Sequence, residues 1–401
     1  SLLVTAQTFM QGLASTLRDD RQAGHAGGRS VHIDMMRMAC VLVWVVRHGD
    51  EDFNDNNIIL DQNWSAPLLW LISGMCWGRS RTPLWIYLRR LALIFCVGTA
   101  LNQFAWKVQN PAEHVDIWNV VFHMWFVAGL MVLSCATAPL KALLDASAEE
   151  KNGAILWSAA PPVLLIGVAT AVYLRARSQL PVVGWQGLRW WLDGNDREIC
   201  MPFVESAIAL IIAAYACTSP LEHDCSIIGW VLLTYSLGAW VVYQHSKIGV
   251  ESAGMNLFIL GLVVERLGLW GRGIIGKFIT GYWLLVLLVC GWLAIPLVNG
   301  QTDLNPSDNP VIRARWCAIT VILIVAFLSA GENIQDPLNL FARFPGLNYW
   351  VVFLYVAHIA VHKIVPSPFN WMVLAVSVVP FLFISRRVAG ARPNEATPIM
   401  G

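Results

Sequence analysis

A chain of 401 residues that is 57% hydrophobic and only 13% charged is too apolar for a soluble α/β domain and too long for one membrane anchor. A formal net charge of +1, with no basic stripe interleaved with aromatic residues, argues against nucleic acid as a partner. The composition predicts an all-α, polytopic membrane helix bundle of ten to twelve transmembrane helices, with the lipid bilayer as its surroundings.

In chain order, residues 1–31 read as an N-terminal extension, a processed or partial start behind a removed targeting peptide, with a charged Arg18-Asp-Asp-Arg21 patch and a glycine-rich linker. Residues 32–390 read as one membrane domain and 391–401 as a short tail. Apolar runs at about 33–48, 65–78, 84–105, 117–138, 154–174, 203–218, 226–244, 252–270, 275–298, 313–330, 348–365 and 370–386 supply the expected spans. The polar breaks at 140–153, 299–312 and 332–347 read as loops.

The first run is unusual because it carries Asp34, Arg37 and His48. Charged groups there must be offset by partners or by function. Arg37 and His48 are eleven positions apart, three helical turns, which puts them on one face about 16 Å apart along the axis. Asp34 is one turn before Arg37 and is spaced to pair with it.

Loop charge sets the orientation. Residues 50–61 hold Asp50, Glu51, Asp52, Asp55 and Asp61 and no Lys or Arg, whereas Arg79, Arg81, Arg89 and Arg90 follow the second run. The amino terminus of the first helix is therefore expected on the positive side and His48 toward the opposite face. The basic loop from Arg175 to Arg197 does not fit this alternation, so either its Gly-Trp-Gln-Gly-Leu-Arg-Trp-Trp stretch lies flat in the interface or the number of spans differs by one. Many of the twenty tryptophans flank apolar runs, as interfacial anchors do. The nine cysteines form no Cys-x-x-Cys pair and read as small buried hydrophobes.

The segment Asp34-x-x-Arg37-x10-His48 resembles the first helix of the membrane acyltransferase-3 family, the integral-membrane O-acyltransferases. Trp70-Leu-Ile-Ser-Gly-Met75 resembles that family's Ile-Ser-Gly-Phe stretch, and Tyr87-Leu-Arg-Arg-Leu91 resembles the basic turn that follows it. His123-Met-Trp-Phe126 and Phe353-Leu-Tyr-Val-Ala-His358 are weaker echoes of its His-Leu-Trp-Phe run and its late Tyr-Leu-x-His helix. Met36, Met38 and Met75 depart from the family pattern but leave the polar groups in place.

The resemblance implies that residues 32–390 form a transmembrane acyltransferase-like domain. It further implies acyl transfer from an acyl-CoA-type co-substrate to a hydroxyl acceptor such as a sugar, with no tightly bound cofactor and no metal. The chemistry needs a base for the hydroxyl proton and positive or donor groups for the developing oxyanion or the donor's phosphates. His48 is the natural base, provided a partner orients its other nitrogen, and Asp50, Glu51 and His123 are candidates. Arg37, held by Asp34, completes the catalytic set, and Ser73, Arg79, Arg81, Arg89, Arg90, His123, Tyr355 and His358 are the expected substrate or donor contacts.

Each assignment has a plainer reading. Arg79 to Arg90 also fit ordinary positive-inside residues, and Ser73-Gly74 also fits a small pair that lets helices approach closely. No Gly-x-Ser-x-Gly elbow surrounds Ser73. His358 and His362 have metal-ligand spacing but no third ligand nearby in sequence, and Glu265 and Arg266 need no special role. The alternative to an enzyme is a non-catalytic acyltransferase-like scaffold subunit of a larger membrane complex, partnered by other membrane subunits. A transporter ranks third, because no inverted repeat is visible. Multi-pass insertion is expected in either case, and the sequence does not choose the membrane.

Overall fold

The computed structural model describes residues 31–49, 62–111, 124–150, 255–267 and 346–382, with a few helical positions between 158–169 and 323–327. These residues are all-helical, with no strand among them. Seven helices carry the architecture: α1 (Val31–Gly49), α2 (Gln62–Arg79), α3 (Leu84–Gln109), α4 (Trp125–Glu150), α5 (Met255–Leu267), α6 (Leu347–Ile364) and α7 (Phe369–Val376). Three stretches, Leu84–Gln109, Phe126–Asp145 and Leu347–Ile364, are long and apolar enough to cross a membrane, and α7 belongs to a shorter apolar helix, Phe369–Leu382.

The apolar runs expected at 33–48, 65–78, 84–105, 252–270 and 348–365 coincide with α1, α2, α3, α5 and α6. The fourth run does not. It was expected over 117–138 with a loop from 140, whereas α4 begins at Trp125 and continues to Glu150 through Pro139. The sequence Lys-Ala-Leu-Leu-Asp-Ala-Ser-Ala-Glu-Glu after Pro139 is rich in strong helix formers, so polarity there marks a helix leaving the apolar layer and not a break. The runs at 203–218, 226–244 and 275–298 and both chain ends lie outside the described residues.

Side-chain bonds fix the relative directions. Asn348, at the start of α6, donates to Asp34 near the start of α1 at 2.7 Å, and His362 near the end of α6 meets the Val45 carbonyl near the end of α1 at 3.2 Å. Helices α1 and α6 therefore run the same way. So does α3, whose Gln109 donates to the Lys363 carbonyl at 2.6 Å. Helix α2 runs back against α1, because Ser65 near its start accepts from the Trp44 indole at 3.0 Å.

Helices α2 and α5 cross at contact distance. A Cβ at Gly74 would overlap the Phe258 carbonyl, and one at Gly261 would overlap that of Leu71. Glycine removes the side chains that would hold two backbones apart, which is how membrane helices gain van der Waals contact. Around this crossing Trp44, Trp70, Phe126 and Tyr355 form a buried ring cluster: Trp70–Phe126 centroids lie 4.3 Å apart, Trp44–Tyr355 5.7 Å and Trp44–Phe126 5.8 Å. Gly129 leaves room for the Trp70 ring.

Candidate functional site

The bundle places its polar groups at two ends, with the ring cluster between them. One end gathers the charges. Asp34 is 7% exposed and uses both oxygens: Oδ1 accepts from Arg37 Nη2 at 3.2 Å and Oδ2 from Asn348. The carboxylate thus ties α1 to α6, and the expected Asp34–Arg37 pair forms. Arg37 is half-buried, and its Nε has no hydrogen-bond partner among the described residues.

Close by, Arg79 grips Glu265 with two bonds, 2.7 Å from Nε and 3.2 Å from Nη2. A two-point guanidinium–carboxylate bond is strong and geometrically specific, so Arg79 is engaged by α5 in this structure. Cys76 lies within electrostatic range of both ion pairs. Arg266 pairs with Asp145 at 2.9 Å. Lys141 donates to the carbonyls of Trp77 at 2.9 Å and of Ser80, with its ammonium 3.9 Å from the Trp77 ring centre. It satisfies the Trp77 carbonyl in the last turn of α2 and the Ser80 carbonyl just beyond it, where the helix dipole favours a cation. Arg81 is exposed, and Arg89 is exposed over the Trp85 ring at 5.6 Å. Arg90 and Ser73 are half-buried.

The other end gathers histidines. His48 Nδ1 lies 2.8 Å from the Trp44 carbonyl. A carbonyl only accepts, so the ring proton is assigned to Nδ1 and the lone pair to Nε2. The orienting group is thus a backbone carbonyl one turn earlier; Asp50, Glu51 and His123 fall outside the described residues. His48 is exposed, and its ring centre is 5.2 Å from that of His358. His358 is 3% exposed, with Nδ1 at 2.9 Å from the carbonyls of both Leu354 and Tyr355. By the same logic its lone pair is on Nε2, and that atom is buried with no hydrogen-bond partner among the described residues.

His362 is differently placed. Its Nε2–H donates to Val45, and its Nδ1 accepts from Asn370 Nδ2 at 2.9 Å, so both ring nitrogens are used to join α1, α6 and α7. Gly49 packs against this ring and Trp371. Among the described residues no group of three His, Cys, Asp or Glu side chains is close enough to hold a metal ion.

Of the residues singled out from sequence, the fold brings Asp34 to Arg37, and His48 to His358 with Tyr355 adjacent at 6.3 Å from His358. Arg79 stands with Glu265, and His123 is outside the described residues. Sequence reasoning missed Asn348, Asn370 and Lys141. For the two asparagines the signal was available, because an amide in an apolar run must find an internal partner, whereas Lys141 fell in the stretch 140–153 that reads as a loop. No family model, no curated protein and no solved structure matches this chain.

Proposed function

We propose that the chain is a multi-pass integral-membrane acyltransferase of ten to twelve spans, moving an acyl group from an acyl-CoA-type donor to a hydroxyl acceptor. The observation that carries this reading is the histidine end: an exposed imidazole, tautomer assigned through the Trp44 carbonyl, beside a buried second imidazole. His48 Nε2 takes the acceptor's hydroxyl proton as the oxygen attacks the thioester carbonyl. The carbon–sulfur bond then breaks, the electron pair leaves on sulfur, and the thiolate recovers the proton. Arg37, Arg81 and Arg89 supply positive charge at the opposite end for the donor's phosphates.

The test is acyl-CoA consumption by purified protein in nanodiscs with a panel of hydroxyl acceptors. Turnover that disappears in His48→Ala supports the proposal. The scaffold reading draws on a different observation, the buried rings of Trp44, Trp70, Phe126 and Tyr355 that fill the interior between Arg37 and His48. Wild-type protein that neither binds nor turns over acyl-CoA, in an assembly that collapses without this chain, sinks the enzyme and leaves the scaffold.

A further inference from the structure

We propose that Arg81, Trp85 and Arg89, around the start of α3, bind one anionic phospholipid of the surrounding bilayer, with its charged head against the two guanidiniums and one acyl chain laid along Leu93, Cys96 and Ala100. The proposal does not rest on the acyltransferase reading, which gives the same two arginines to the donor's phosphates. The recognition chemistry is shared, and the outward position of the site favours the lipid as its occupant.

Three features lead there. The first is a division among the cations at this end of the bundle. Arg37, Arg79 and Arg266 are bonded to Asp34, Glu265 and Asp145, and Lys141 is held by the carbonyls of Trp77 and Ser80. Arg81 and Arg89 are exposed and have no carboxylate partner among the described residues. A guanidinium with its forked donors unused suits a phosphate, which accepts paired hydrogen bonds from it.

The second feature is depth. Arg89 lies one turn further along α3 than Trp85, yet its guanidinium carbon is 5.6 Å from the centre of the Trp85 ring. Helical side chains lean toward the helix start, so Arg89 reaches back and carries its charge to the level of the tryptophan. Trp85 itself is 63% exposed at the end of a helix long and apolar enough to cross a membrane, which is where headgroups begin.

The third feature is the apolar stripe below. Leu93, Cys96 and Ala100 follow Arg89 at four, seven and eleven positions, so they continue its face of the helix, and all three are exposed. Eleven positions are about 16 Å, one leaflet of a hydrocarbon layer of about 30 Å. No charged residue interrupts α3 between Arg90 and Lys107, and α3 is the least buried of the three crossing-length stretches. A soluble anion would leave this stripe bare. A lipid covers the stripe and the cations together.

The test is native mass spectrometry of the full-length protein titrated with phosphatidylglycerol or phosphatidylcholine. Wild type should bind the first phosphatidylglycerol at least about tenfold more tightly than phosphatidylcholine. Arg81→Gln and Arg89→Gln, which alter exposed side chains, should each weaken phosphatidylglycerol binding about fivefold, and the double variant about twenty-fivefold. Lys107→Gln removes the same charge from the far end of α3 and should leave the binding unchanged. A phosphatidylglycerol with a photoreactive group in its chain should crosslink within residues 93–100. No preference for phosphatidylglycerol, wild-type binding in the double variant, or a crosslink that falls elsewhere or on another protein seated on this face overturns the site. Coenzyme A, which carries phosphates but no acyl chain, separates the two sources: if it displaces the lipid in full, the arginines serve a soluble phosphate compound and the lipid proposal falls. Lipid binding as expected in a protein that turns over no acyl-CoA leaves the site standing and removes only the acyltransferase reading.

Discussion

A single imidazole at the open end of α1 carries the chemistry proposed for this protein, and its surroundings say how it should respond to removal. His48 is exposed and contributes little packing, so His48→Ala should reduce acyl transfer by about 10²- to 10⁴-fold. Its thermal unfolding midpoint should stay close to wild type, and a large loss of stability would move His48 from chemistry to structure. Arg37→Ala should behave in the opposite way. It removes one bond to the buried Asp34 carboxylate while Asn348 keeps another, so a loss of about 1–3 kcal/mol is expected in detergent unfolding. Arg79 offers a sharper comparison. Arg79→Ala strands the largely buried Glu265, and the double variant Arg79→Ala with Glu265→Ala should be more stable than that single variant. If the double variant is the less stable of the two, the partners are not acting on each other.

At the scale of helices, the α2–α5 crossing is the contact least able to tolerate change. Gly74→Ala places a methyl group into the Phe258 carbonyl and should destabilise by at least about 1–3 kcal/mol, whereas Gly78→Ala meets Glu265 Cβ at 3.2 Å and should cost less. Equal thermal midpoints for the two variants would contradict the geometry. This crossing also shows what the sequence could and could not reveal. Ser73-Gly74 was readable as a small pair suited to close approach, but its partners Phe258 and Gly261 belong to a run far along the chain, and nothing local points from one to the other. The same holds for Asp34 and Asn348, 314 positions apart, and for Arg79 and Glu265, 186 apart. Periodicity and hydropathy act within one helix, so they recovered α1 and α6 to within two residues, the start of α3 though not its last turn, and the Asp34–Arg37 pair with them. They failed at α4, where charge density was read as a loop although the residues themselves favour helix. The meeting of His48 with His358 depends on α1 and α6 running side by side, which only the packed bundle decides.

At the scale of the whole molecule, one face of α3 is turned outward while Leu91, Gly98, Asn102 and Ala105 are buried. On α3, Trp85 is 63% exposed, Phe104 48% and Val108 50%, and Trp85 and Trp106 are 21 positions apart, about 32 Å along the axis. That matches a hydrocarbon layer of about 30 Å with tryptophans at both interfaces, the lower one beside Lys363, which sits 4.3 Å over the Trp106 ring. A fluorophore at Leu93→Cys should therefore be quenched most by lipids brominated at mid-chain, and one at Val108→Cys by lipids brominated near the headgroup. Indistinguishable quenching would mean that α3 does not cross the bilayer in this register. Placed in that frame, the stack of Trp44, Trp70, Phe126 and Tyr355 acquires an electrical meaning. Between the ionised groups at one end and the titratable groups at the other lie four buried rings in mutual contact, which offer an ion neither water nor a charged partner. They form a layer of low polarity in which an isolated ion is costly, so charge is expected at the two ends of the bundle and not between them.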